Sequence, residues 1–300
     1  MENILRIIPK DLRSLVRDEI KDATRLNEIR LRTGFPILIK KNSEEIMLNK
    51  SQTEASESSV ILSEKQMQEC IEYISSYSMY ALSEEIGRGF VTITGGHRVG
   101  ICGRVILGED GRVRTLRNIS SLNIRVAKEI PGACSKITDY IYHQNEYVNT
   151  LLVSPPGAGK TTLLRDIVRE LSEKGYTIGI CDERSEIAAM YQGKIQNRLG
   201  FRVDVLDGCP KVLGINMLLR SMAPDIIAVD EIGTLEDARA LRLAAVSGSR
   251  MLATAHGLGI EDVKKNPNIK ELVEEGYFKR VIVLSKKPEP GTIEGIYGDK

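Results

Sequence analysis

Apolar positions recur at helical spacing between Pro9 and Ile20, at Leu12, Leu15, Val16 and Ile20, and residues 26–40 then read as strand, turn at Gly34-Phe35-Pro36, strand. Ser63 followed by Gln66 forms a capping-box pattern, after which Met67, Cys70, Ile71 and Ile74 fall on one helix face. Residues 49–59 are Ser/Glu-rich and aperiodic and read as a loop. After Gly87 the pattern changes to the short β-prone runs 90–94 and 98–107, punctuated by Gly95-Gly96 and Glu109-Asp110-Gly111 at hairpin turns. From about Asn149 onward short apolar strands alternate with helical segments, as in a parallel sheet covered by helices. The expected architecture is α/β: a smaller α+β amino-terminal domain over 1–130, then a parallel sheet flanked by helices over 131–300. The boundary is placed at Ile130-Pro131-Gly132.

Composition narrows the class. The hydrophobic set is 42% and the charged set 28%, an ordinary globular balance. A formal net charge of +1 excludes a protein that coats nucleic acid or anionic lipid with its whole surface. The charge-free run from Tyr147 to Gly159 is interrupted by two prolines and falls well short of the ~20 apolar residues of a membrane span. Glu2, Arg6 and Pro9 interrupt the apolar core that a signal peptide would need, so a cytoplasmic location is expected. Cys70, Cys102, Cys134, Cys181 and Cys209 carry no C-x-x-C spacing and are expected to be reduced and buried, without zinc or disulfides.

The chemistry begins after residues 150–153, a short apolar strand. Ser154-Pro155-Pro156-Gly157-Ala158-Gly159-Lys160-Thr161 follows, and then a helix with Leu163, Leu164, Ile167, Val168 and Leu171 facing inward. This is a Walker A loop in its strand–loop–helix setting, with Ser154 at the place of the usual first glycine. Glycines let backbone N–H groups converge on phosphate oxygens, and the helix amino terminus adds its positive dipole end. Pro156, Gly157, Ala158, Gly159, Lys160, Thr161 and Thr162 are therefore the expected nucleotide cradle. Lys160 reaches the β- and γ-phosphates, and Thr161 offers a hydroxyl to Mg2+.

Ligands of open parallel sheets bind beyond the carboxyl ends of strands. Three further strands end in polar residues: 177–181 before Asp182-Glu183-Arg184-Ser185-Glu186, 226–229 before Asp230-Glu231, and 251–255 before His256. Asp230 at the end of a buried strand reads as the Walker B acid that holds the magnesium shell, and Glu231 as the group that polarises the attacking water. Thr254 and His256, two apart, are expected on one strand face, with His256 sensing the γ-phosphate or serving as a hydrogen-bonded structural histidine. Glu183 is a second acid able to orient the water, although such a run also serves as a solvated loop. An Asn-Lys-x-Asp base-reading motif is absent from the sequence, which disfavours a GTPase.

Residues 88–128 carry Arg88, Arg98, Arg104, Arg112, Arg114, Arg117, Arg125 and Lys128 against Glu109 and Asp110, a local excess of +6 on the expected β-hairpins. Three readings stand: arginines that contact phosphate, including fingers acting on a neighbouring copy; a salt-bridged sheet surface; and nucleic-acid binding. The stretch has few interleaved aromatics and no DNA- or RNA-reading motif, so sequence-specific nucleic-acid recognition is not expected.

Residues 219–233 (LRSMAPDIIAVDEIG) and 247–257 (SGSRMLATAHG) resemble the Walker B and histidine boxes of secretion and type IV pilus motor ATPases, and 182–186 is similar to their aspartate box. With 154–162, 100–104 and the chain length, the whole protein is similar to the sporulation branch of these ATPases in endospore-forming bacteria. The chain departs from the secretion ATPases at Asp230, where glycine is common, and after His256, where Gly257-Leu258 follows. The resemblance implies a RecA-like P-loop ATPase that hydrolyses ATP with Mg2+ and assembles as a homo-oligomeric, hexameric ring. It places the nucleotide between the two domains, with Arg114, Arg117 and Arg125 completing the site. It also implies a mother-cell protein, held at the membrane through channel proteins, that energises or assembles the channel between mother cell and forespore. A nucleic-acid translocase of the same fold and a scaffold that binds ATP without turnover are the alternatives.

Overall fold

The computed structural model describes residues 1–42, 44–49, 59–75, 85, 89–109, 111 and 113–298. They form two compact units: Met1–Lys128 with Tyr191–Gln196, and Glu129–Met190 with Asn197–Lys300.

The first unit contains α1 (Glu2–Ile7), α2 (Arg13–Glu19), β1 (Leu26–Arg32), β2 (Leu38–Lys41), β3 (Glu44–Met47), α3 (Glu64–Ile74), β4 (Phe90–Ile93), β5 (His97–Leu107) and β6 (Val113–Arg125). The strands form an antiparallel sheet in the order β3-β2-β1-β6-β5-β4. Period-two alternation gives the sheet one apolar face, where Ile29, Leu31, Ile39, Val99, Ile101, Leu122 and Ile124 are buried. Helix α1 was not expected from the sequence; in six residues it buries Ile4, Leu5 and Ile7 in the same core. Both halves of the Ser63/Gln66 capping box form, and Met67, Cys70 and Ile74 are buried behind it. Asn49 and Ser59 are bridged, while 50–58 lie outside the described residues, as do Arg88, Asp110 and Arg112.

The second unit contains α4 (Thr138–Ile141), the small hairpin β7 (Tyr142–His143) and β8 (Glu146–Tyr147), β9 (Thr150–Ser154), α5 (Lys160–Glu173), β10 (Ile178–Asp182), β11 (Val203–Asp207), α6 (Lys211–Ser221), β12 (Ile226–Val229), α7 (Leu235–Val246), β13 (Arg250–His256), α8 (Ile260–Lys265), α9 (Pro267–Glu274), β14 (Arg280–Ser285) and β15 (Thr292–Tyr297). Its large sheet runs β11-β10-β12-β13-β9-β14-β15, parallel except for the β14–β15 hairpin. Strands β9, β10 and β12 are buried along their whole length, as expected where helices cover both faces. The four strands read from the sequence are the central ones. Strand β11 escaped notice because its residues at the sheet edge are half-buried or exposed. Helix α6 packs on β10 so closely that a Cβ at Gly214 would collide with Cys181 Sγ.

The cysteine expectation needs correction. Cys70, Cys134 and Cys181 are buried, but Cys102 is exposed and Cys209 half-buried; all five thiols are free. Cys102 follows Ile101 on β5, and the alternation that buries Ile101 turns its neighbour to the other face. Among the described residues no helix is long and apolar enough to cross a membrane.

Candidate functional site

At the carboxyl end of β9 the chain leaves the sheet at Ser154 and enters helix at Lys160, the first residue of α5. Left-handed backbone is confined to Gly157 (φ 73°) and Gly159 (φ 93°), the positions in this loop that demand glycine. Ser154 still belongs to β9, so the place of the usual first glycine needs no special backbone here. Its carbonyl accepts a hydrogen bond from Lys160 Nζ at 3.1 Å. Pro156 and Gly157 are exposed, Ala158 is buried, and Thr161 and Thr162 are half-buried on the first turn of α5.

Parallel pairing brings the other strand ends to the same edge. Thr161 Oγ1 donates to Asp230 Oδ2 at 3.0 Å, directly after β12. Thr254 Oγ1, on β13, donates to Asp230 Oδ1 and accepts the Glu231 N–H at 2.8 Å. Glu231 is held at φ +54°, a left-handed conformation that a glutamate adopts only when its surroundings over-determine it.

His256 lies between the two motifs. Its Nδ1 is 2.7 Å from Lys160 Nζ and its Nε2 is 2.8 Å from Glu231 Oε1. An ammonium only donates, so Nδ1 accepts and Nε2 carries the proton given to Glu231. The second carboxylate oxygen of Glu231 binds Arg184 Nη1 at 2.5 Å. Lys160, His256, Glu231 and Arg184 thus form one continuous chain of polar contacts. Burial lowers the pKa of Lys160, an effect opposed by Asp230, Glu231 and Glu186.

The loop after β10 is organised by Asp182. Its carboxylate accepts the backbone N–H groups of Glu186, Ile187 and Ala188 at 2.8, 2.9 and 2.8 Å. Burial pushes its pKa up to about 6 against the pull of those donors. Glu183 lines a cleft of about 460 Å³ together with Arg184, Glu231 and His256, but its carboxylate is taken by Lys211. Sequence reasoning missed Arg184 and Lys211; Arg184 sits in the acidic run 182–186, Lys211 opens a helix after Pro210, and no spacing rule marks either.

Arg114, Arg117 and Arg125 belong to β6 of the first unit. Arg125 is in register with Arg98 and Glu28, and Arg30 and Arg32 stand opposite Asn123 and Ser121 in adjacent rows. These arginines line a cleft of about 490 Å³ on the polar sheet face. Arg117 pairs with Arg104 beyond a bulge, and Arg114 lies further along that ribbon. The sequence offered no hint that Arg30 and Arg32 share a face with Arg125.

The donor set suits a nucleotide. Two left-handed glycines, a helix amino terminus and a lysine face one loop, and a hydroxyl and a carboxylate stand 3.0 Å apart beside it. Among the described residues no group of three or more His, Cys, Asp or Glu forms a metal cage. Such a pair matches Mg2+, which is usually held by one or two protein oxygens plus phosphate and water.

Comparison with known proteins extends the picture. The solved structure of the Legionella pneumophila ATPase DotB matches with TM-score 0.60 and 18% identity, covering 93% of this chain and 76% of that one. The pilus retraction motor PilT, crystallised with ADP, matches with TM-score 0.62 and 17% identity over 90% and 76%. These likenesses establish the fold as that of the RecA-like secretion ATPases. Stage III sporulation protein AA of Bacillus subtilis (strain 168) is 42% identical over 305 residues, spanning 99% of this chain and 95% of that protein. The family model described as "Sporulation stage III, protein AA" matches residues 1–300, and the chain therefore belongs to that sporulation family.

Proposed function

We propose that this chain is an ATP-hydrolysing motor that works as a hexameric ring and energises or assembles the channel between mother cell and forespore. In this reading 131–300 is the ATPase domain and 1–130 the domain whose arginines, among them Arg114, Arg117 and Arg125, complete the site of a neighbouring copy. The ring acts in the mother-cell cytoplasm, held at the membrane by channel proteins. The observation that carries the reading is the contact chain from the loop lysine through His256 to Glu231, beside the Thr161–Asp230 pair.

Each residue then has a task. The loop N–H groups and Lys160 hold the phosphates, and Thr161 with Asp230 would hold Mg2+. The metal ion would neutralise charge on the phosphate oxygens. Glu231 takes the proton of the attacking water as the water oxygen bonds to the γ-phosphorus and the bond to the ADP oxygen breaks. Both oxygens of Glu231 are engaged in this structure, so reaching the water requires release from His256 or Arg184. Lys160 supplies the trigger: when it turns to phosphate it leaves His256 Nδ1, and the imidazole relays that change to Glu231.

The test is steady-state ATP hydrolysis by wild type and Glu231→Gln at several protein concentrations, with and without DNA. A motor completed between copies gives turnover per subunit that rises with concentration, ignores DNA, and falls about 10²–10⁴-fold in the variant while binding persists. Strong stimulation by DNA would replace this reading with a translocase. Undiminished function of Glu231→Gln would replace it with a scaffold.

A further inference from the structure

Strand β14 runs parallel to β9, with Val283 opposite Val153, so its carboxyl end emerges at the same sheet edge as the phosphate loop. Four strands legible in the sequence end there; β14 is a fifth, and Lys286 is the first residue beyond it. The chain then turns back across the phosphate loop. Gly291 N–H donates to the Ala158 carbonyl at 2.9 Å, and a Cβ on Gly159 would lie 3.3 Å from Gly291 N. The turn is braced internally: Lys287 N–H donates to Ser285 Oγ at 3.1 Å, and Thr292 Oγ1 donates to the Glu289 carbonyl at 2.7 Å.

We propose that Lys286 is a second cationic ligand for the phosphates of a bound nucleotide, carried to the phosphate loop by the β14–β15 turn. The inference rests on the nucleotide-binding reading above. A Cβ built on Gly157 would lie 3.6 Å from Lys286 Cε and 3.7 Å from its Nζ, which puts the ammonium over the glycine where the loop turns. Three other cations at this edge are engaged, Lys160 by Ser154 and His256, Lys211 by Glu183 and Arg184 by Glu231, and of the two lysines of the turn it is Lys286 that lies against Gly157. Lys286 is exposed and makes no ion pair or hydrogen bond within the described residues. Two ammonium groups flank one anion cradle, and only Lys160 is anchored to the protein. A polyphosphate supplies the counter-charge that Lys286 lacks, through a charge-assisted hydrogen bond from a flexible point charge.

The experiment is titration of the full chain with a fluorescent ADP analogue and Mg2+, for wild type, Lys286→Ala and Lys286→Arg, alongside the ligand-free unfolding temperature of each. Expected are about tenfold weaker binding in Lys286→Ala, recovery to within about twofold in Lys286→Arg, and unchanged ligand-free unfolding temperatures, since an exposed side chain is removed. Wild-type affinity in Lys286→Ala, with wild type itself binding, would overturn the inference and leave the nucleotide reading intact. Equal losses in both variants with lowered unfolding temperatures would overturn it in favour of a bracing role for the turn. No binding by wild type would overturn the nucleotide reading and this inference with it.

Discussion

The carboxyl edge of the parallel sheet and the polar face of the antiparallel sheet handle charge in opposite ways. At the edge, Lys160 and His256 are 96 positions apart in the chain and still touch, because every parallel crossover returns its strand end to one side. On the antiparallel sheet, the arginines of residues 98–125 are divided between two places by register. Arg98 and Arg125 face each other in one row, while Arg104 and Arg117 pair beyond the bulge. The parallel sheet brings the ends of separate strands to one edge, whereas the antiparallel ribbon splits one arginine-rich stretch and joins part of it to Arg30 and Arg32 of β1. Clustered charge in a sequence is therefore poor evidence of a clustered site unless the strand pattern is known.

Lys160→Ala should weaken ADP binding by about a hundredfold, the loss of a buried charge-assisted contact. Arg125→Ala in dilute protein should change binding by less than about twofold. The same Arg125→Ala should lower turnover at concentrations where copies assemble. A large loss of binding in the dilute arginine variant would make the two regions one site within a single chain.

Acid should act on the first unit through His97. Its Nδ1 accepts the Ala127 N–H at 3.1 Å, and burial lowers its pKa from 6.5 to about 4. The folded form binds fewer protons than the unfolded form between those values. The contribution is fully present above pH 6.5 and is lost as pH falls toward 4, to a limit of about 3 kcal/mol. Urea unfolding between pH 7 and pH 4.5 measures this, and His97→Gln should flatten the profile.

In the second unit, Gly214→Ala should cost about 2 kcal/mol in a urea titration by driving a methyl into Cys181, with partial recovery when Cys181→Ala is added. The smallest effect treats both units alike. Ser63→Ala and Thr234→Ala each remove the anchor of a formed capping box and should cost about 1 kcal/mol each, read as a shift in the urea midpoint.

Legibility followed the range of the interactions. The strand–loop–helix geometry from Pro156 to Thr162 was readable because it is local: two glycines, a lysine and a helix start within a few residues. The central strands were readable because burial on both faces leaves unbroken apolar runs. Helix α1 was missed because one and a half turns are too short for a period to emerge, and β11 because an edge strand carries a weak pattern. Arg184 and Lys211 were missed because their roles depend on partners 47 and 28 positions away.

Adjacent residues alone marked four of the strands that end at one sheet edge and the polar residues at or after each end, since backbone periodicity and local turn geometry are written in short stretches of chain. Only the tertiary structure decided that His256 joins Lys160 to Glu231, that Lys211 takes Glu183, and that the turn after β14 lies across the phosphate loop. The physical reason is that these contacts depend on strand order and register. Both are set by the packing of the whole sheet, which no short stretch of chain encodes.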